Sequence, residues 1–215
     1  MSFHALTVRD SDSSEGTMTA VCVFCAANEQ IDAAYIQHAF ELGFAIGTHG
    51  WQLVSGGGSV SSMGAVAKGA RKAGGETIGV IPEVLIEREV ADHDSTKLIA
   101  VKDMRTRKAQ MERLADAFIV LPGGIGTLEE FFEIWVARSL GMHNKPVVVL
   151  DPTGMYEPLK KWLTEITAAG FITQAAANCA IWTTSVDEAM KIIEAELENP
   201  VQVAATDAEI AEAEL

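Results

Sequence analysis

The amino-acid sequence predicts a doubly wound, Rossmann-like α/β fold on a parallel sheet, in a single domain. Strand-like apolar runs alternate with helix-like stretches along the chain. Runs such as Val-Val-Val-Leu at 147–150 are apolar on both faces, which is typical of parallel strands covered by helices on both sides. Glycine-rich loops follow two of these runs, at 56–58 and 123–126. Ligands of this fold bind at the carboxyl ends of the strands, so both loops are candidate binding sites.

The first part of the chain is divided by glycine and proline. We predict strands at 19–25, 51–55 and 77–81, separated by helices at 32–48 and 62–73. Gly50 ends the first helix and Gly74-Gly75 ends the second, because glycine adopts the conformations that terminate helices. Pro82 closes the third strand, since proline cannot donate to a strand ladder.

The same alternation continues in the second part. The predicted strands are 97–101, 117–121, 146–150 and 179–183, and the predicted helices are 104–115, 128–140, 155–169 and 185–198. We therefore assign 18–198 to one domain. Residues 1–17 are polar and predict a disordered arm, and 199–215, rich in alanine and glutamate, predict a flexible acidic tail.

Charge and hydropathy exclude several classes of function. The 215 residues carry a formal net charge of -14, with a pI near 4.7, so the long-range field repels nucleic acids and anionic membranes. No apolar run approaches the roughly 20 residues that cross a bilayer, and the N-terminus lacks the regions of a signal peptide. We expect a cytoplasmic protein without nucleic-acid or membrane partners.

The cysteines and histidines do not indicate a metal site. Cys22 and Cys25 form a Cys-x-x-Cys pair within the first predicted strand, where residues three apart point to opposite faces. We interpret them as core residues. The five histidines show no metal-ligand spacing with one another or with the cysteines. We expect neither a metal nor a cofactor.

The segment 121–130, Leu-Pro-Gly-Gly-Ile-Gly-Thr-Leu-Glu-Glu, predicts an anion site. A buried strand breaks here through glycines into a helix, whose first N–H groups point at any bound anion. The predicted ligand is a nucleotide or a sugar phosphate. The same residues also fit a capping box, with Thr127 as the N-cap and Glu130 three residues later. Glu130 thus has two interpretations, as a helix cap and as a catalytic carboxylate.

The other glycine loop, 56–61, does not complete the dinucleotide-binding fingerprint. Ser61 stands where the last glycine is expected, and Glu76 opens a strand, whereas an acid that binds ribose closes one. Classical NAD binding is disfavoured, and a simple tight turn is the alternative to a phosphate site.

Basic residues cluster at the start of the helix predicted at 104–115. They are Lys102, Arg105, Arg107 and Lys108. Cations there oppose the helix dipole, so either a carboxylate or a bound phosphate is expected beside them, with a solvated basic face as the alternative.

These segments together resemble the Lonely guy (LOG) family of cytokinin-activating phosphoribohydrolases. The family hallmarks are the Pro-Gly-Gly-x-Gly-Thr-x-x-Glu loop, here 122–130, and an Arg-Lys pair after a methionine, here within 104–108. The similarity covers about residues 20–172 and includes Cys25 and the segments 56–64, 79–82 and 87–90. It implies cleavage of the N-glycosidic bond of N6-modified adenosine 5′-monophosphates to free base and ribose 5-phosphate.

The resemblance also implies roles for individual residues. Glu130 is the catalytic carboxylate that stabilises positive charge on the breaking sugar, and Arg107, which stays protonated, binds the leaving base or positions the substrate. The implied substrate- and phosphate-binding residues are Gly57, Gly58, Glu89, Lys108, Gly123, Gly124, Gly126 and Thr127. Members of the family are also labelled lysine decarboxylases, but we identify no Schiff-base lysine with a pyridinium partner.

Two departures from the family pattern keep an alternative open. Ala26-Ala27-Asn28 replaces Gly-Ser-Ser, and Ser61-Ser62 replaces Gly-Leu. The lost hydroxyls would weaken phosphate contacts or change the preferred nucleotide, so a non-catalytic nucleotide-binding or sensor protein is the second hypothesis.

A homodimer that completes the site is also expected, because the helix at 128–140 carries more apolar surface than one sheet face consumes and the family forms dimers or larger assemblies. The apolar residues concerned are Phe131, Phe132, Ile134, Trp135 and Leu140. Simple core packing is the alternative.

Overall fold

The computed structural model describes residues 18–86 and 91–202, which form one parallel sheet with helices on both faces. The strands are β1 (Ala20–Phe24), β2 (Gln52–Ser55), β3 (Thr77–Pro82), β4 (Lys97–Val101), β5 (Ala117–Val120), β6 (Val147–Leu150) and β7 (Ile181–Thr183). Every paired strand runs parallel to its neighbour. The doubly wound α/β fold and all seven predicted strands are confirmed.

The helices follow the predicted alternation. They are α1 (Ala33–Thr48), α2 (Ser61–Lys72), α3 (Glu83–Ile86), α4 (Met104–Leu114), α5 (Ile125–Ser139), α6 (Glu157–Ala168), α7 (Gln174–Ala177) and α8 (Val186–Glu198). The six predicted helices are confirmed with ends within three residues. The four-residue helices α3 and α7 were not predicted, because one turn is too short to show helical periodicity.

The strand order places a crevice at the middle of the sheet. The order is β4-β3-β2-β1-β5-β6-β7, so the chain builds one half outward from β1 and then returns to place β5 on the other side of β1. The loops after β1 and β5 therefore lead to opposite faces of the sheet and leave a gap between them. Such a switch point is where open α/β sheets bind their ligands.

The sheet separates two apolar cores. Cys22 packs with Phe118 on the face covered by α4 and α5, and Cys25 packs with Ile119 on the face covered by α1, α2 and α8. This confirms the interpretation of both cysteines as core residues on opposite faces.

The apolar residues of α5 are used within the chain itself. Phe131, Ile134 and Trp135 are buried in the core, so the argument that they form surplus surface is wrong. The large exposed apolar side chains of α5 are Ile125 and Val136, at 88% and 51% exposure.

Some predictions fall outside the described residues. These are the arm at 1–17, the tail from 203 onward and the candidate Glu89. Among the helices that the structure describes, none has the length and apolarity to span a bilayer.

Candidate active site

A cavity of about 400 Å³ opens at the switch point between β1 and β5. Its walls are the loop after β1 (25–28), the glycine loop after β5 (122–127) and the pair Arg107 and Glu130. The charged residue Glu129 also lines the cavity, and the side chains of Ile31, Tyr35, Met63, Met104 and Met155 form the remainder of the wall. The cavity thus joins a charged pair, a helix N-terminus and an apolar wall in one space.

Arg107 and Glu130 form an ion pair at the floor of this cavity. Asp103 caps α4 by accepting the Thr106 N–H at 2.7 Å, and the first turn of the helix presents Arg107. Arg107 donates from Nη1 to Glu130 Oε1 at 3.3 Å and from Nε to the Val80 carbonyl at 3.0 Å. The two residues are only 7% and 9% exposed, so the pair acts in a medium of low dielectric constant.

The space for this guanidinium comes from Gly56. A Cβ on Gly56 would lie 1.6 Å from Arg107 Nη2, closer than any non-bonded contact allows. Sequence reasoning treated Gly56 as part of a possible phosphate loop and missed this role. The sequence shows only a glycine at the end of a strand, and this does not reveal which side chain fills the space where a Cβ would otherwise lie.

Burial sets the ionisation of Glu130. Loss of solvent raises the pKa of this carboxyl to about 7, although Arg107 lowers it and Glu129 raises it further. Near neutral pH the group therefore exchanges a proton readily, as acid–base catalysis requires. Cys25 also lines the cavity, but burial raises the pKa of its thiol to about 12, so it remains a neutral thiol.

The glycine loop after β5 leads directly into α5, and the helix starts three residues earlier than predicted. Its N-cap is Gly124, which has no side-chain cap, and its first intrahelical bond runs from the Leu128 N–H to the Gly124 carbonyl at 3.0 Å. The N–H groups of Ile125, Gly126 and Thr127 precede that bond and are available to an anion. A Cβ on Gly124 or Gly126 would meet open space, so both face the opening.

The capping-box interpretation of Glu130 is wrong. Thr127 is not the N-cap but lies in the first turn of α5. Its side chain packs against Gly123, where an added Cβ would lie 2.2 Å from Thr127 Oγ1. Glu130 instead turns inward to Arg107. The predicted helix start was three residues too late because Gly-Gly-Ile-Gly has low helix propensity, which tertiary context overrides in the folded chain.

The loop after β2 is not part of the cavity wall. Gly57 donates its N–H to Ser55 Oγ at 3.3 Å and accepts the Asp92 N–H at 2.8 Å. Gly58 donates its N–H to Met63 Sδ at 3.2 Å. Both glycines were predicted to bind phosphate, but their N–H groups have partners within the chain.

Lys108 does not line the cavity, although its partner Glu129 does. It forms ion pairs with Glu129 and with Glu133, the latter at 2.6 Å. Carboxylates therefore offset the positive charges of both Arg107 and Lys108, which is one of the two predicted solutions for the basic cluster.

The two departures from the family pattern contact each other. Ser61 Oγ donates to the Asn28 carbonyl at 2.7 Å, and the Met63 N–H donates to the Ala26 carbonyl at 3.2 Å. Ser61 has a φ of +53°, in the left-handed region that favours glycine. The Ala27 side chain presents a methyl group to the cavity where the family pattern has a serine hydroxyl, and Ala26 adds a methyl group where the pattern has glycine.

Comparisons with known proteins agree with this geometry. A family model described as possible lysine decarboxylase matches residues 63–193, more than half of the chain. A cytokinin riboside 5′-monophosphate phosphoribohydrolase of Mycobacterium marinum is 44% identical over 83% of this chain and 95% of its own length. The protein of the same name from Mycobacterium tuberculosis is 46% identical over 80% and 91%. The protein LOG1 of Arabidopsis thaliana, with the same description, is 37% identical over 84% of each chain. The chain belongs to the LOG family.

Solved structures share the fold of this LOG-family chain. The molybdenum cofactor carrier protein of Chlamydomonas superposes with a TM-score of 0.65 at 24% identity, over 86% of this chain and 100% of its own. A molybdenum cofactor binding protein from Rippkaea orientalis gives 0.64 at 23% identity, over 83% and 96%. At this identity the likeness concerns the fold alone.

The decarboxylase description has no counterpart in the cavity. No lysine occurs among the described residues of its wall. Within 18–86 and 91–202 there is also no group of three histidine, cysteine, aspartate or glutamate residues placed to hold a metal ion.

Proposed function

We propose that this protein hydrolyses the N-glycosidic bond of N6-modified adenosine 5′-monophosphates and releases the free base and ribose 5-phosphate. The observation that carries the proposal is the buried Arg107–Glu130 pair, 3.3 Å apart, beside an uncapped helix N-terminus in one cavity. The names of the curated relatives, cytokinin riboside 5′-monophosphate phosphoribohydrolase, support it.

The 5′-phosphate fits the N-terminus of α5. Gly124, Gly126 and Thr127 surround this end with backbone donors, and the helix dipole favours an anion there. Glu130 follows Gly126 by four residues, which places it on the same face of the helix, about 6 Å farther along the axis. A nucleotide held by its phosphate therefore directs its sugar towards Glu130.

Glu130 then acts on the reacting bond. When the bond from C1′ to the base breaks, its electron pair leaves with the base and positive charge develops on the sugar, which the carboxylate stabilises. Water adds OH to C1′ and passes its other proton to Glu130. The leaving base takes one proton from solvent and Glu130 returns its proton to solvent, so that one water molecule supplies, in net, the OH on the sugar and the H on the base. Arg107 holds the Glu130 carboxylate in place and can donate a hydrogen bond to the leaving base.

The apolar wall suits an N6 substituent. Met63, Met104 and Met155 are flexible side chains that adapt to apolar groups of different shape, and Ala26 and Ala27 extend the same surface. The substrate class that fits best is therefore an adenosine 5′-monophosphate with an apolar N6 group.

The test is release of base from isopentenyladenosine 5′-monophosphate and from AMP, followed by chromatography without added metal or cofactor. We expect turnover by the wild type and a loss of about 10³-fold in kcat for Glu130→Gln, which keeps the shape but removes the charge. Glu133→Gln is the matched control, because Glu133 pairs with Lys108 outside the cavity wall, and we expect its turnover within about threefold of wild type.

A non-catalytic nucleotide-binding protein is the second candidate. The Ala26-Ala27-Asn28 loop favours it, because Ala27 presents a methyl group where the family pattern has a serine hydroxyl. Nucleotide binding without base release by the wild type would replace the enzyme proposal by this one.

We propose further that a second copy of the chain covers the cavity mouth. Met104, Ile125 and Met155 lie in or beside the wall and remain 47%, 88% and 55% exposed. Sedimentation equilibrium should give the mass of a dimer, and Ile125→Ser should weaken the association. Fully active monomers at micromolar concentration would contradict this part.

We also propose that the protein works in the cytoplasm. Its three cysteines are buried thiols, a state that reducing compartments maintain. Fractionation of the source cells with an antibody tests the location, and recovery outside the cytoplasm contradicts it.

A further inference from the structure

A buried tyrosine lies beneath the glycine loop and has no part in the mechanism above. Tyr156, immediately before α6, is only 5% exposed. Its hydroxyl accepts the Gly123 N–H at 2.8 Å and donates to the Leu121 carbonyl at 3.1 Å. One hydroxyl thus bridges the two residues that flank Pro122.

This bridge continues the support of β5 beyond the end of the sheet. The Leu121 N–H donates to the Phe24 carbonyl at 2.9 Å, in continuation of the ladder with β1, and Pro122 has no N–H to donate. From Leu121 to Gly123 the Tyr156 hydroxyl therefore provides the hydrogen bonds that a neighbouring strand would otherwise make. Gly123 is followed by Gly124, the N-cap of α5, so its orientation sets the direction of the first N–H groups of the helix.

Asp151 fixes Tyr156 from the other side. This carboxylate, at the end of β6 and 5% exposed, accepts the Tyr156 N–H at 2.7 Å, the Met155 N–H at 3.0 Å and the Thr153 hydroxyl at 3.1 Å. Asp151 donates its own N–H to the Thr183 carbonyl at 2.9 Å, in line with β7. The loop position is thereby tied to two further strands of the sheet.

We infer that Tyr156 is a positioning residue that holds the 122–127 loop in the shape that binds the 5′-phosphate, and that Asp151 holds Tyr156 in turn. The inference rests on the proposed function, because it assigns the phosphate to this loop. Tyr156 acts through Gly123 and touches no substrate atom.

The ring and the hydroxyl of Tyr156 have separable roles. The ring lies in the core on the α5 side of the sheet and packs edge-on against Trp182, with centroids 6.4 Å apart and planes at 90°. Burial also raises the pKa of the hydroxyl to about 12, so it remains a donor to Leu121 at neutral pH. Tyr156→Phe removes the two hydrogen bonds and keeps the ring, whereas Trp182→Phe alters the packing and keeps the hydrogen bonds.

The experiment is calorimetric titration of the full chain with ribose 5-phosphate and, separately, with adenine, which has no phosphate. For Tyr156→Phe we expect about tenfold weaker binding of ribose 5-phosphate, because buried groups of the loop lose their partner, and adenine binding within twofold of wild type. For Trp182→Phe we expect a lower melting temperature and no selective loss for the phosphate ligand. Asp151→Asn should show the same selectivity as Tyr156→Phe, and it provides a second test if that variant folds poorly.

Two results would overturn the inference. Unchanged ribose 5-phosphate binding in Tyr156→Phe and Asp151→Asn would show that the bridge does not shape the site, and equal losses for both ligands would show a general structural role. Wild-type protein that binds no ribose 5-phosphate would instead overturn the proposed function, and this inference with it.

Discussion

The molecule has two glycine loops, each after a parallel strand, and they differ in what their backbones do. In the loop after β2, the N–H groups of Gly57 and Gly58 bind Ser55 and Met63 of the same chain. In the loop after β5, the first N–H groups of α5 open into the cavity. β5 lies at the switch point, whereas β2 has strands of its own half on both sides. Position in the sheet, more than glycine content, therefore decides which loop has backbone N–H groups that face the cavity.

The loop after β2 nevertheless serves the site in another way. Because Gly56 has no side chain, the Arg107 guanidinium has the space to reach Glu130. In the function we propose, one loop thus acts through its backbone donors and the other through the space that its glycine leaves.

The largest effect that tests this comparison is expected from Gly56→Ala. The new Cβ would lie 1.6 Å from Arg107 Nη2, so the guanidinium must move and the pair with Glu130 must change. We expect kcat/KM for the 5′-monophosphate to fall by about 100-fold or more, since displacements near 1 Å have effects of this size. Steady-state kinetics with a circular dichroism check of folding provides the measurement.

The same substitution in the other loop provides the contrast. A Cβ on Gly124 meets no atom within 4 Å, so Gly124→Ala should fold normally and act mainly by narrowing the phosphate end, with an increase in KM of about tenfold or less. A larger loss in kcat for Gly124→Ala than for Gly56→Ala would reverse the roles we assign to the two loops.

The sequence predicted the sheet better than it predicted the site. Strands such as Val147–Leu150 are recognisable because burial on both faces leaves an uninterrupted apolar run. Arg107 and Glu130 were named as candidates from the sequence pattern and given paired catalytic roles by the family resemblance, but their contact joins residues 23 positions apart and is visible only in three dimensions. The support from Tyr156 was missed, because its partners Gly123 and Leu121 are 33 and 35 residues away. Local pattern carries no information on such contacts.

A smaller effect on activity is expected from pH, through the Glu130 carboxylate next to the loop after β5. Burial raises the pKa of Glu130 to about 7, and the proposed mechanism needs the ionised form. Below pH 7, kcat/KM should therefore fall about tenfold per pH unit, and above it the profile should be flat. The pH profile of the wild type measures this, and Glu130→Gln should show residual activity without that step. A wild-type profile that rises towards acid pH would mean that the protonated carboxyl is the active form.

As pH rises, the stability of the fold should decrease, whereas the activity should increase. The pKa of Glu130 in the folded chain, about 7, lies above the ordinary value of 4.5, so the folded state binds more protons between these two pH values. The free energy of unfolding should thus decrease by about 3 kcal/mol as pH rises from 4.5 to 7. Urea unfolding of the wild type and of Glu130→Gln across this range isolates the contribution, because the variant lacks the group. Parallel curves for the two proteins would contradict it.

The smallest effect is expected at Lys108, the immediate neighbour of Arg107. Its side chain turns to Glu129 and Glu133, whose side chains are 56% and 50% exposed, and it does not line the cavity. Ion pairs with such exposed partners are weak, so Lys108→Gln should lower the free energy of unfolding by about 1 kcal/mol or less and leave kcat/KM within about threefold of wild type. Arg107→Gln, one residue earlier, should lose activity on the scale of Gly56→Ala, because both changes disturb the same buried pair. A tenfold rise in KM for Lys108→Gln would show that Lys108 contacts the substrate after all, as the family resemblance implied.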